Sequence, residues 1–508
     1  MSRLIVVSER VAIPESSNKP AISGLAVALQ SALKHYNGIW FGWSGAVSAA
    51  SSAPPRHSRA AGIDFVTIDL TTAEYAAYSN GFANCTLRPL CHYRTDLVVY
   101  ERAWQQDYLQ LNARFAGSLA PLLEPDDILW VHDYHLVYCA EELRRLGVRQ
   151  RMGFFLHIPF PAVQVLLILP NHQALVRALF AYDLLGFQTE ADLQAFKEYV
   201  ICEAGGWVEA DGQLTAFGRT VRAQVFPIGL DAMEFARLAT TATARNHWLR
   251  LKKSLIGGEL VIGVDQLDYS KGLPQRLEAF ERFLERSPEH HGRVSLLQIA
   301  RPLGRDMPEY TSIREKLEAT SGRINGRFAE LDWVPIRYLS KALGRATLAG
   351  LYRASRLGLV TPYRDGMNLV AKEYVAAQNP QDPGCLVLSR FAGAATQLEG
   401  ALIVNPYDTE EVAEAIQQGM QLSREERCTR WQTMMASVRH FDALWWRDAF
   451  VEALKTCRTG REEPAASAFA LKPELAYPAR GYGRSNKAKP SGAQSRHRAK
   501  PVLSLFGK

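Results

Sequence analysis

The run Arg364-Asp365-Gly366-Met367-Asn368-Leu369-Val370-Ala371-Lys372-Glu373 is the part of this chain best suited to hold a charged ligand. It follows the apolar Leu357-Gly358-Leu359-Val360 and leads into a helical pattern ending near Gln378. A strand, a polar glycine turn and a helix start are what a phosphate needs. The first N–H groups of a helix are unpaired, and the helix dipole favours an anion there. Gly366 allows a close backbone approach to a ligand. Glu373, one to two turns further in, can reach a group beyond the phosphate, such as a ribose diol. The same strand, turn and helix also form ordinary α/β connections, so the run alone leaves both readings open.

Other polar residues stand just past apolar runs. Asp133 lies in Val131-His132-Asp133-Tyr134-His135, His157 precedes Ile158-Pro159-Phe160-Pro161, and Lys271 lies in Asp268-Tyr269-Ser270-Lys271-Gly272. A lone His or Asp reads first as a satisfied buried polar group; several converging at strand ends point to a site. Strand candidates are 4–7, 65–69, 128–132, 153–157, 184–187 and 223–227, then 260–264, 295–299, 358–361, 385–388 and 402–404. Helical spacing appears at 24–36 (Leu25, Leu29, Ala32, Tyr36) and 274–286 (Leu277, Phe280, Leu284). Many of the strands are continuous apolar runs, as when helices cover both sheet faces. The expectation is α/β: two Rossmann-like domains around a cleft, with the boundary after Pro227-Ile228-Gly229 in the weakly patterned stretch 240–246. Ligands then bind at the C-terminal strand ends.

Composition fits this picture. The 508 residues are 47% hydrophobic and 22% charged. Seven scattered cysteines without Cys-x-x-Cys spacing argue against disulfides or a zinc site and for a cytoplasmic setting. No apolar run is long enough for a membrane span, and the short run after Met1 reads as a strand rather than a signal peptide. The net charge of +7 is local: residues 461–508 hold ten Lys/Arg and three acidic residues, leaving 49 of each sign elsewhere. That basic tail, 458–508, reads as a disordered, solvated extension; contact with nucleic acid or an acidic surface is the weaker alternative.

Six ordered motifs identify a resemblance. They are Trp40-Phe41-Gly42-Trp43-Ser44-Gly45, His132-Asp133-Tyr134-His135-Leu136, His157-Ile158-Pro159-Phe160-Pro161, Leu267-Asp268-Tyr269-Ser270-Lys271-Gly272, residues 364–373, and Phe391-Ala392-Gly393-Ala394-Ala395. Together they resemble the trehalose-6-phosphate synthase family of retaining nucleotide-sugar glycosyltransferases, from Ser2 to about Lys455. The resemblance implies a GT-B fold: an acceptor-side domain over 1–232, a donor-side domain over 233–440, and a helix at 441–457 returning to the first. It implies glucose transfer from a nucleotide glucose, UDP-glucose foremost, to glucose 6-phosphate. The nucleotide sugar is a co-substrate, and no metal or other cofactor is expected. Small molecules are the expected partners, and a homo-oligomer stays open.

By motif, Lys271 matches the residue that binds the donor diphosphate, Asp365 the carboxylate on the transferred sugar, and Glu373 the ribose ligand. Gly366, Met367, Asn368 and Leu369 lie at the donor phosphates, and Gly24 and Gln266 also fall on donor positions. Asp133 matches an acceptor hydroxyl contact, His157 the histidine near the reacting centre, and Arg10 an acceptor-phosphate ligand. Trp40, Ser79, Arg88 and Arg305 fall on the acceptor side. Several lining positions depart from the family: Glu9 for Asn, Ser23 for Gly, Ser79 for Tyr, Arg88 for Trp, Gln266 and Gly304 for Arg, and Gln397 for Glu. Arg88 and Arg305 could compensate for lost phosphate contacts. Three readings follow: a trehalose-6-phosphate synthase with a rearranged phosphate site, a transferase with another acceptor or sugar nucleotide, and a non-catalytic sugar-phosphate-binding paralogue.

Overall fold

The computed structural model describes residues 2–13, 26, 29–30, 33–34, 36, 38–48, 54–60, 62–255, 257–302 and 308–457. Gly24, Gly304, Arg305 and the basic tail lie outside them, and of Ser79 only the backbone is described.

Two sheets carry the fold. The first contains β1 (Leu4–Arg10), β2 (Ile39–Ser48), β3 (Arg56–Ala60), β4 (Ile63–Thr71), β5 (Ile128–His132), β6 (Arg151–Phe155), β7 (Leu184–Phe187), β8 (Trp207–Val208), β9 (Gln213–Ala216) and β10 (Arg219–Val225). Their spatial order is β3-β4-β2-β1-β5-β6-β7-β10-β9-β8. The strands from β4 to β10 run parallel, while β3 and β9-β8 add antiparallel edges. The second sheet contains β11 (Glu259–Gln266), β12 (Val294–Arg301), β13 (Ile336–Leu339), β14 (Leu357–Val360), β15 (Cys385–Ser389) and β16 (Leu402–Val404). It is wholly parallel in the order β13-β12-β11-β14-β15-β16.

The central strands are the apolar runs. β5, β14 and β15 are buried at every position, as covering both faces with helices requires. One such helix, Leu273–Arg286, buries Leu277, Phe280 and Leu284 completely. In each sheet the strand order reverses beside its first strand, between β1 and β5 and between β11 and β14. A crevice forms where neighbouring connections leave toward opposite faces, so these two reversals fix where a ligand fits.

The sequence pattern did not reveal β2, β3, β8, β9 or β13. β3 is Arg-His-Ser-Arg-Ala on an exposed edge, β8 has two residues, and β13 is only partly buried. β2 is interrupted by Gly42 and Gly45. The weakly patterned stretch at 240–246 enters a helix, Ala242–Ser254, whose only buried residue is Ala244. With one buried side chain, no apolar period could show.

The helix Ala443–Thr456 follows the whole second sheet in sequence yet packs on the first. Phe450 stacks on Trp130 at 4.5 Å, and Trp446 lies 4.6 Å from the same ring. Gly153 and Gly186 make room: a Cβ on either would stand 2.6 Å from a ring carbon of Phe450 or Phe155. Among the described residues no helix is long and apolar enough to cross a membrane.

Candidate active site

The second sheet presents two turns at its strand-order reversal. After β11, Asp268 accepts hydrogen bonds from Ser270 N (2.8 Å) and Ser270 Oγ (2.6 Å), which tightens the turn carrying Lys271. Gly272 closes it at φ +60°, a left-handed conformation that costs glycine nothing. After β14, Asp365 accepts from Gly366 N (3.1 Å) and Asn368 Nδ2 (2.9 Å). Asn368 Oδ1 in turn caps the helix Leu369–Ala377 by accepting from Ala371 N at 3.0 Å. The two turns meet through Lys271 Nζ and Asp365 Oδ2, 2.5 Å apart. Burial alone would neutralise both groups. Each partner overrules it: Lys271 is shifted up by Asp365, Asp268 and Asp265, and Asp365 down by Lys271, so both stay charged.

A cavity of about 400 Å³ lies over this pair. It collects Gln266, Lys271, Asp365, residues 367–370 and Glu373 from the second sheet's side, and His157, Gln188 and Ile228 from the first. Glu373 is half-buried, and burial pushes its carboxyl up to about 7 against the pull of Arg345. The cavity also draws in Arg301, Lys341 and Arg345, none of which sequence reasoning singled out. Arg301 stands two residues past the predicted strand at 295–299, and that position alone did not mark it.

The two sides touch at Gly366. A Cβ there would stand 1.9 Å from the His157 carbonyl oxygen, so only glycine lets the phosphate-type turn approach that strand end. Gly366 O and Met367 O accept from Gly393 N and Ala394 N, both at 2.8 Å, which pins the turn from behind. His157 Nε2 lies 3.0 Å from His132 Nδ1, and burial keeps both imidazoles neutral, His157 down to about 3. Trp446 packs against both rings, at 6.0 Å and 6.1 Å, so the returning helix backs the pair.

Asp133, one residue past β5, has φ 74° and ψ 165°. That region is almost reserved for glycine and costs of order 1–3 kcal/mol, a strain typical of functional residues. Asp133 N donating to Phe155 O (2.8 Å) and His157 N donating to Asp133 Oδ1 (3.2 Å) hold it there. Burial pushes its carboxyl up to about 7.

The remaining predicted contacts fare differently. Arg10 ends β1, exposed, with its guanidinium 5.6 Å from the Trp43 ring. Glu9 turns toward His135, with 3.2 Å between carboxylate and Nε2. Trp40, expected at the acceptor, is 1% exposed and donates its indole N–H to Ser8 Oγ at 2.8 Å. The strand pleat turns it into the core beside Phe65, a correction to the expected open contact. Arg88, expected to serve acceptor phosphate, reaches across to the second sheet's turn. Its Nη1 lies 2.7 Å from Asp268 Oδ2 and donates to Tyr310 Oη at 3.0 Å. Burial raises the Asp268 carboxyl, but Arg88 and Lys271 hold it well below the usual carboxylate range. Among the described residues no group of three His, Cys, Asp or Glu could hold a metal ion.

This geometry is a charged cavity between two Rossmann-like sheets, and comparison with known proteins gives it a family. The sequence profile of glycosyltransferase family 20 matches residues 2–456. The chain belongs to glycosyltransferase family 20. It is 46% identical over 456 residues to the trehalose-6-phosphate synthase of Sinorhizobium fredii, covering 89% of this chain and 98% of that one. Among solved structures, the UDP-forming α,α-trehalose-phosphate synthase of Burkholderia xenovorans in complex with glucose-6-phosphate superposes with a TM-score of 0.85 at 50% identity, covering 89% of this chain and all of that one. The Escherichia coli enzyme bound with UDP-2-fluoro glucose gives 0.86 at 44% identity, covering 90% and 99%. The fold is therefore GT-B, and the chain is a glycosyltransferase.

Proposed function

We propose that the chain transfers glucose from UDP-glucose to the anomeric hydroxyl of glucose 6-phosphate, with retention, giving α,α-trehalose 6-phosphate and UDP. The observation that carries this reading is the meeting of Lys271, Asp365 and a helix N-terminus on one wall with the His157 strand end on the other. Residues 1–232 form the acceptor-side lobe, 233–440 the donor-side lobe, and 441–457 the returning helix.

As the bond from glucose C1 to the diphosphate oxygen breaks, negative charge builds on the leaving group. Lys271 and the backbone from Gly366 to Leu369 face that charge and stabilise it without reorganising. Asp365 orients the transferred sugar and Glu373 holds the ribose. The acceptor oxygen attacks C1 from the face that the leaving group departs, and its proton passes to the departing phosphate oxygen. Asp133 holds an acceptor hydroxyl, His157 flanks the transferred sugar, and Arg10 meets the acceptor phosphate. No enzyme nucleophile or further cofactor is required. The free cysteines suit a cytoplasmic setting.

The acceptor side favours one competing reading, another phosphorylated or unphosphorylated sugar as acceptor. Arg88 is committed to Asp268, and Glu9 adds negative charge beside Arg10. The deciding experiment is purified protein with UDP-, ADP- and GDP-glucose against glucose 6-phosphate and other sugars, reading nucleotide release. Release of UDP only with glucose 6-phosphate is expected; turnover only with another acceptor selects the competing reading, and no turnover with any pair refutes both.

A further inference from the structure

Among the described residues Arg301 is a cation without a counter-ion, in a cavity where Lys271 and Arg345 each have one and only the exposed Lys341 shares its lack. It ends β12, is half-buried, and makes no ion pair or side-chain hydrogen bond among the described residues. In the same cavity Lys271 is tied to Asp365 and Arg345 to Glu234, 3.4 Å away. A half-buried, unpaired charge is unfavourable unless a ligand completes it.

The ladder fixes its place. β11 and β12 pair in parallel, with Val264 opposite Ile299 and Gln266 opposite Arg301. Side chains two apart share a strand face, and all four residues line the cavity. Arg301 therefore starts one strand over from Gln266, about 4.8 Å away, on the same face, with a side chain long enough to reach across. Gln266 can donate a hydrogen bond to a phosphate but brings no charge. The charge of Lys271 is already shared with Asp365. Arg301, less exposed than Lys341, can supply a diphosphate bound here with a full positive charge, and a guanidinium fork suits two phosphate oxygens.

We propose that Arg301 is a donor-binding residue of this enzyme, supplying to the nucleotide diphosphate the charge that Gln266 does not. The inference rests on the donor-site reading above. Of the two compensating arginines expected from sequence, Arg88 is bound to Asp268 and Arg305 lies outside the described residues.

The test is calorimetric titration of UDP and of uridine into the full-length protein and its variants. Arg301→Ala and Arg301→Gln should weaken UDP about tenfold or more, the usual worth of a charged phosphate contact, and leave uridine within about twofold. Gln266→Arg added to Arg301→Ala should recover most of the loss, because the two positions face one point. UDP affinity within about twofold of wild type in a folded Arg301→Gln protein overturns the proposal, as does equal weakening of uridine. Lys271→Ala separates the two levels. If it weakens UDP while the Arg301 variants do not, only the role of Arg301 fails; if neither matters, the donor site itself is elsewhere.

Discussion

The proposed donor side and the proposed acceptor side of the cleft are built by different means. On the proposed donor side most ligands stand at the end of a buried parallel strand or on the short turn after it: Gln266 ends β11 and Lys271 follows it, Asp365 to Leu369 follow β14, and Arg301 ends β12, while Glu373 lies on the helix Leu369–Ala377. These turns are locked by their own side chains, Asp268 to Ser270 and Asn368 to Ala371. The acceptor side has Asp133 and His157 at strand ends, but its other pieces come from the irregular, kinked segment Tyr78–Leu87 and the four-residue helix Arg88–Cys91. Rigid strand ends can keep a diphosphate site while single residues change. An acceptor wall made of loops can be rebuilt around a new contact, as Arg88 shows by binding the opposite lobe.

That contact gives the sharpest way to break the comparison. Arg88→Met leaves Asp268 buried and short of its nearest cation, which should cost about 3–5 kcal/mol in urea unfolding at neutral pH. The pH dependence has a definite sign. The folded-state carboxyl of Asp268 is depressed, so its contribution is present above the unfolded value of about 3.9 and is lost as pH falls below it. Wild-type stability should drop in that acid window, and the variant's should drop less. If Arg88→Met is as stable as wild type and has the same acid limb, the inter-lobe ion pair does not hold the cleft.

Lys271→Ala tests the donor side in turn. It removes a preorganised charge from the leaving group and should lower kcat about 10²–10³-fold in the folded protein, with a fall in melting temperature because Asp365 loses its cation. A fall confined to KM for glucose 6-phosphate would move Lys271 to the acceptor side and erase the distinction drawn here.

The same asymmetry decided what the sequence could reveal. Strand ends after continuous apolar runs were legible, so the positions of Asp133, His157, Lys271 and Asp365 just past strands could be read, along with most of both sheets. The edge strands β3, β8 and β13 were not, because an edge has little to bury. Trp40 was placed wrongly because its motif does not say which face of β2 it occupies; the pleat does. Arg301 escaped because its meaning depends on its register partner, Gln266, and pairing between β11 and β12 is invisible in a single strand. Arg88 matched an acceptor position by alignment, while its partner lies 180 residues away at Asp268.

Gly366→Ala probes the seam between the two sides. The added methyl would press on the His157 carbonyl oxygen, and overpacking of this kind costs about 1–3 kcal/mol. The lobes should be forced slightly apart, lowering kcat about tenfold or more while UDP still binds the second lobe. Unchanged kcat would mean that the Gly366–His157 approach is not needed for transfer.

The smallest expected effect separates the sides by pH alone. Glu373 is raised to about 7 by burial, so near neutrality it is partly protonated. Only the carboxylate accepts from both hydroxyls of a ribose diol; a carboxylic acid gives up one acceptor site to its own proton. UDP-glucose affinity should therefore rise several-fold between about pH 6 and pH 8, at most about tenfold per unit. UDP-glucose suits this titration because its diphosphate diester does not change charge in the window. Glu373→Gln should bind more weakly at pH 8 and show a nearly flat profile. Asp133 is raised to about 7 too, but it belongs to the acceptor side and should leave donor binding untouched. A slope that survives in Glu373→Gln and vanishes in Asp133→Asn would mean that the two half-buried carboxylates have exchanged roles.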